Sequence, residues 1–295
     1  MCLKLFSIGP INVYGYGAMI ALGVICAMFI LWKRAPRIGL NSDQMTGALL
    51  LLLITGFLGA KLLYCIAHFA DFKADPLGTL GSEGFVIYGG ILVGIAAAYF
   101  WSRKKHIAFV DFLDTVFPAV AIAQGFGRIG CFLAGCCYGL PTDSFLGVVF
   151  PEGCGAPAGI PLWPVQLFSS GYDFLLGILI LVWERKKEKR GRNLLIYLYG
   201  YSIGRFVIEY FRNDTRGQVG FLSTSQFISV LVFIFAVVLT VSLRKKAKAV
   251  PAADVAAEEA AEPAEIVPEE TADELAEAAP EEPTAVPAED TEASE

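Results

Sequence analysis

Residues 13–37 read VYGYGAMIALGVICAMFILWKRAPR. A run of about 20 mainly apolar residues is long enough to cross the hydrocarbon core of a bilayer as a helix. Here the run closes on Lys33, Arg34 and Arg37. The positive charge follows the apolar stretch, and no small-residue cleavage site ends it, so it reads as a retained helix and not as a cleaved leader. Cys26 is preceded by Val24 and Ile25, which are not the small residues of a lipid-attachment site.

The same unit recurs along the chain. Six more apolar runs fall at 45–67, 86–101, 108–127, 165–183, 194–211 and 222–243. Basic clusters follow the third run (Arg103, Lys104, Lys105), the fifth (Arg185, Lys186, Lys187, Lys189, Arg190, Arg192) and the seventh (Arg244, Lys245, Lys246, Lys248). Lys and Arg accumulate in cytoplasmic loops. Seven spans with the N-terminus outside put all four clusters inside. The expected fold is therefore an all-α, polytopic integral membrane helix bundle with its C-terminus inside.

Composition agrees. Of 295 residues, 55% are hydrophobic and 18% charged, with a mean hydropathy of +0.57. A soluble domain carries roughly a quarter charged residues. The net charge of −6 is misleading, because residues 251–295 hold 16 acidic residues and no Lys or Arg. Before them stand 13 acidic and 23 basic residues, a net of +10. Two regions follow: a membrane domain over 1–248 and a cytoplasmic Ala/Glu/Pro-rich tail over 249–295. The tail lacks aromatic residues and is expected to be disordered. No nucleic-acid partner is expected, since most of the positive charge reports topology.

Some cations escape the clusters. Lys61 and Arg205 lie inside apolar runs, and Arg128 lies at the end of one. Charges at such depth are rare and usually serve pairing or function. Arg205 and Glu209, four apart, share a helix face. They form either an ion pair that locks helix packing or an arginine held by Glu209 and aimed at an anion. The topology gathers Lys61, Arg128, Arg205, Glu209 and Arg212 in the outer half of the bilayer, where the available phosphates are lipid head groups.

Residues 125–139 read GFGRIGCFLAGCCYG. Five glycines in fifteen residues suggest irregular backbone, which membranes tolerate only where protein buries it or a cavity adjoins it. Leu140 to Pro164, rich in Gly and Pro, resembles a covering loop. Cys131, Cys136 and Cys137 cluster in sequence, with Cys154 beyond. The pair Cys136-Cys137 is not a CxxC and no His is near, so the spacing gives little support for zinc. A disulfide from this cluster to Cys154 is one alternative, and small residues packed in a bundle are another. His68 and His106 read as interfacial and solvated. No G-x-S-x-G, H-E-x-x-H or P-loop occurs.

These residues resemble a known family. Gly127-Arg128-Ile129-Gly130-Cys131-Phe132 with Gly135 and Gly139 is similar to the signature of the phosphatidylglycerol–prolipoprotein diacylglyceryl transferases. Tyr16-Gly17, Gly59-Ala60-Lys61-Leu62, the block Pro164, Gln166 and Leu167, the block Gly204-Arg205-Phe206 with Glu209 and Arg212, and Gln226 agree in order. The likeness covers roughly residues 10–245. It departs at Tyr88-Gly89-Gly90, where many members have His-Gly-Gly. It departs also at Cys131 for Asn, Cys136 for Glu, and Gln166-Leu167-Phe168-Ser169 for Gln-Leu-Tyr-Glu.

The resemblance implies a multi-pass enzyme of the bacterial cell membrane. Its substrates would be phosphatidylglycerol and the signal peptide of a prolipoprotein carrying a lipobox cysteine. It would move a diacylglyceryl group to that thiol and release glycerol-1-phosphate. Arg128 and Arg205 would hold the phosphate and Glu209 would orient Arg205. Tyr88 and Tyr16 would position or deprotonate the thiol, and Lys61 would add positive potential. Gly89, Gly90, Gly130, Gly135, Gly139 and Gln166 would line the substrates. No metal or organic cofactor is expected. A thiol or redox enzyme using the cysteines, and a non-enzymatic phospholipid-binding or transport protein, are the alternatives.

Overall fold

A computed structural model describes residues 4–8, 11–82, 84–183, 190–214 and 217–249. The expected tail, most of the cluster from Arg185 to Lys189, Arg216 and Cys2 lie outside the described residues. The chain divides into two units, Met1–Arg244 and Lys245–Glu295. The first carries the elements that concern function.

Among the described residues the fold is mostly helical. The long helices are α1 (Gly15–Arg34), α2 (Ser42–Ala67), α5 (Ile87–Lys104), α6 (Phe109–Leu133), α7 (Val165–Trp183), α8 (Arg192–Glu209) and α9 (Thr224–Ala249). Two short helices, α3 (Phe69–Ala74) and α4 (Pro76–Gly81), lie between α2 and α5. Three two-stranded antiparallel sheets, which the apolar pattern did not foretell, punctuate the loops. They are β1–β2 (Lys4–Ile8, Ile11–Tyr14), β3–β4 (Val148–Val149, Pro161–Leu162) and β5–β6 (Gln218–Val219, Leu222–Ser223).

Five of the long helices, α1, α2, α6, α7 and α9, are long and apolar enough to cross a membrane. This is a polytopic membrane protein. The remaining two, α5 and α8, have 18 residues each. Helix α8 carries Arg192, Arg205 and Glu209, and α5 ends in Arg103 and Lys104.

The burial pattern is inverted relative to a soluble protein. Phe57, Leu58, Leu92, Phe100 and Ile234 are exposed. Arg34, Lys61, Gln166, Asp173, Ser202 and Glu209 are buried. Apolar surface is at ease in lipid, whereas polar groups there need protein partners.

Helix boundaries have local causes. Asn41 caps α2: its side chain accepts from Gln44 N at 2.8 Å, and its own N–H donates to Gln44 Oε1 at 3.2 Å. This capping box starts α2 ahead of the apolar run. Helix α6 runs six residues past the expected end at 127. The expectation of irregular backbone over 125–139 is therefore corrected: Gly125 to Leu133 is helical, and the irregular chain begins at Ala134. Packing explains the correction. A Cβ on Gly125 would stand 2.7 Å from the Phe174 ring, and one on Gly130 3.1 Å from Tyr16 Cδ2. These glycines let neighbours close on α6, and that contact offsets the poor helix propensity of glycine.

Helix α6 is central, packing against α1 and α7 and also touching α8, while α2 pairs with α5. The α2–α5 crossing is made by glycines. Cβ atoms on Gly59 and Gly90 would each lie 2.6 Å from a backbone oxygen of the other helix.

Candidate functional site

One end of the bundle gathers the start of α1, the end of α6, the start of α7, the end of α8 and the start of α9. Between α6, α7 and α8 is a small, partly open cavity lined by Arg128, Ser169, Tyr172, Asp173, Tyr201, Arg205 and Ile208. The apolar patterns place these side chains. Ser169, Tyr172 and Asp173 are neighbours at i, i+3 and i+4 on α7, and Tyr201, Arg205 and Ile208 share a face at i, i+4 and i+7 on α8. Gly200 and Gly204 give room for the Leu176 and Tyr172 side chains, and Tyr172 Oη donates to Gly200 O at 2.7 Å.

Arg205 is fixed on one side only. Its Nη2 lies 2.9 Å from Glu209 Oε2 and donates to Ser225 Oγ at 2.9 Å. Its Nη1 is buried without a hydrogen-bond partner among the described residues. Glu209 also accepts from Ser223 Oγ at 3.0 Å. Arg212 is buried beside it, 3.7 Å from Glu209 and hydrogen-bonded through Nε and Nη2 to the two Asp214 oxygens at 2.9 Å each. Arg128 forms no ion pair among the described residues. Of the two readings of Arg205 and Glu209 the ion pair is seen, and Nη1 of the guanidinium is not used by it.

The segment from Ala134 to Pro164 covers this end and has a small core of its own, Phe150, Ala156 and Leu162 with Phe132 and Tyr138. It is tied to the chain after α8. Leu140 N donates to Phe211 O at 2.9 Å, Asn213 N to Tyr138 O at 3.1 Å, and Gly139 bridges Arg212. Gly139 cannot carry a side chain there, since a Cβ would meet Trp163 O at 2.5 Å.

Cys131, Cys136 and Cys137 come together with their sulfurs within 4.8 Å of one another. None of the three is in a disulfide, nor are Cys26 and Cys65. Cys154 is disulfide-bonded, but to none of these, so the alternative of a bridge from the cluster to Cys154 is not realised. Hydrogen bonds from Cys131 and Cys136, with Arg212 adding to them, hold the Cys137 thiol well below the ordinary thiol range. The same network pushes the Cys136 thiol up.

The expected site residues separate into groups. Arg128 and Arg205 line the cavity and Glu209 orients one of them. Tyr16 packs beside Gly130 and within electrostatic reach of the cysteines and Arg128. Gln166, 1% exposed, donates its Nε2 to Cys136 O at 2.8 Å, while its Oε1 is left without a partner. Lys61 is elsewhere engaged: its Nζ donates to Ser82 O, Ser82 Oγ and Gly84 O at 2.7, 3.1 and 3.2 Å and sits over the Tyr64 and Phe85 rings. A Cβ on Gly89 or Gly90 would meet the α2 backbone, one on Gly130 would meet α1, and one on Gly135 would meet Cys154. Tyr88, in the first turn of α5, is not among the residues lining the cavity.

Asp173, Tyr172 and Tyr201 were not anticipated. The signal for Asp173 was present, because it is the sole acidic residue in the run 165–183. Intramembrane carboxylates mark function as often as intramembrane cations do.

A family profile described as prolipoprotein diacylglyceryl transferase matches residues 4–242. Over 241 residues the chain is 45% identical to phosphatidylglycerol–prolipoprotein diacylglyceryl transferase 2 of Clostridium perfringens (strain 13 / Type A), covering 81% of this chain and 94% of the relative. Over 235 residues it is 46% identical to the phosphatidylglycerol–prolipoprotein diacylglyceryl transferase of Clostridium tetani, covering 79% and 94%. The transferase of the same name from Clostridioides difficile is 29% identical over 245 residues.

Proposed function

The chain belongs to the prolipoprotein diacylglyceryl transferase family, and we propose that it transfers the diacylglyceryl group of phosphatidylglycerol to the lipobox cysteine of a prolipoprotein. The observation that carries this reading is the cavity shared by Arg128 and Arg205, in which Arg205 Nη1 is left open. Two guanidinium groups suit the oxygens of a phosphodiester. The cavity is partly open, so the head group would reach the two guanidinium groups from its mouth while the acyl chains stay in lipid.

The reaction balances simply. The thiol sulfur attacks the glyceryl carbon that bears the phosphate ester, a C–S bond forms, and the C–O bond to phosphate breaks. Glycerol-1-phosphate leaves with the electron pair. Arg128 and Arg205 stabilise the charge growing on it. Glu209, with Ser225, sets the orientation of Arg205. Asp173, which lines the same cavity as both arginines, takes the thiol proton in place of Tyr88, and Tyr16 helps position the peptide. Gln166 holds the backbone of the covering segment.

Seven spans with the N-terminus outside place this cavity in the outer half of the bilayer, where a secreted lipobox arrives. The membrane domain is 1–248 and the cytoplasmic tail 249–295. The test is transfer of labelled lipid to a lipobox peptide by the purified protein, with glycerol-1-phosphate measured alongside. Thioether product and stoichiometric glycerol-1-phosphate are expected. Binding of phosphatidylglycerol without release would assign the protein to lipid binding instead.

A further inference from the structure

Three of the seven cysteines converge at the end of α6, and this convergence is built by the backbone. Cys131 lies in the last turns of α6. The chain then reverses through Gly135 at φ +64° and Cys137 at φ +59°. Non-glycine residues seldom adopt that region. Cys136 N donates to Cys131 O at 3.1 Å, which folds residue 136 back over the helix end. The buried Gln166 amide fixes the Cys136 carbonyl from α7. The result is two consecutive thiols and one five residues earlier, all within 4.8 Å.

We propose that Cys131, Cys136 and Cys137 form a three-thiolate site for a soft d10 cation of the Zn(II) class. Sulfur ligands around such an ion stand at about 2.3 Å, which separates tetrahedral sulfurs by about 3.8 Å. Small side-chain rotations bring the three sulfurs from their present spacing to that one. Thiolate ligands select thiophilic ions over Mg(II) or Ca(II). Three thiolates on a divalent ion carry one net negative charge, and the Arg212 guanidinium, in contact with the Cys137 sulfur, balances it. Among the described residues no histidine or carboxylate joins the three sulfurs, so a fourth coordination position stays open to water or another thiol. The thiols are partly exposed, which gives the ion a way in. The sequence argued against zinc because the spacing is C-x4-C-C; the left-handed turn at Cys137 is what makes that spacing serviceable.

The site stands independently of the transferase reading. The full-length protein, purified in detergent with a tag free of His and Cys and kept reduced, is stripped by chelation and titrated with Zn(II). One ion per chain retained through desalting is expected, and Cd(II) should give a sulfur-to-metal charge-transfer band of the same stoichiometry. C131S, C136S or C137S should weaken Zn(II) binding at least about a hundredfold, whereas C26S and C65S leave it unchanged. R205A should lose lipid transfer yet still take up one ion, which separates this site from the anion pocket. Circular dichroism establishes that each variant is folded. No retained ion in the reduced wild-type protein, or equal uptake by the folded triple serine variant, overturns the proposal.

Discussion

Two buried arginines, one near each end of the bundle, are held in different ways. At the end where α1 stops, Arg34 is 4% exposed and has its polar atoms engaged: Nε donates to Thr115 O at 2.7 Å and Nη2 to Asp114 O at 3.0 Å. Asp114 in turn accepts from Leu194 N at 2.9 Å, which fixes the start of α8. At the other end Arg205 keeps an unpartnered nitrogen, Gln166 an unpartnered oxygen, and Arg128 has no ion pair among the described residues. A buried polar group left unsatisfied is destabilising.

Substitutions can break that contrast if it is wrong. The largest effect is expected at the open end. Arg128→Ala and Arg205→Ala should each lower kcat for lipid transfer by about 10²- to 10³-fold, as loss of a preorganised charge-stabilising donor does. The thermal midpoint of Arg128→Ala in detergent should change little, whereas Arg205→Ala also leaves buried Glu209 without its 2.9 Å partner and should lower it. Full transfer by either variant would remove the anion pocket from the mechanism. Asp173→Asn should cost about a hundredfold in kcat with phosphatidylglycerol affinity retained, the mark of a lost proton acceptor. An unchanged kcat would return the proton to another group.

The closed end should show the reverse. Arg34→Ala removes a charged donor from two buried carbonyls and should destabilise the protein by about 2–3 kcal/mol, read from thermal unfolding, with kcat per folded molecule unchanged. The smallest effect belongs to Arg190→Ala. Its 2.7 Å pair with Asp111 is solvent-exposed, so a change within about 1 kcal/mol is expected.

The helices were legible because an apolar run of bilayer length has few other readings. All seven runs became helices, and α7 matches its run residue for residue. The ends were less legible where side chains decide them, as with the Asn41–Gln44 box. Arg128, Arg205 and Glu209 stood out because charge is scarce in apolar sequence. Asp173 carries the same kind of signal, as the sole carboxylate of its apolar run. Tyr172 and Tyr201 give no signal, since tyrosines in apolar runs are ordinary. Glycines are the least readable. Gly89 facing a helix and a glycine facing a ligand look alike until the neighbour is seen. The thiol cluster needed the positive φ of Cys137, which no pattern in the chain announces.

The backbone bonds that join Tyr138 and Leu140 to Asn213 and Phe211 have a mechanical consequence. They rivet the covering segment to the chain that leaves α8, so neither can lift without the other. A displacement of the cover that keeps these bonds intact carries Arg212 with it, and Arg212 stands 3.7 Å from the Glu209 carboxylate that holds Arg205. The position of the cover and the aim of the Arg205 guanidinium are thus coupled through one pair of backbone hydrogen bonds.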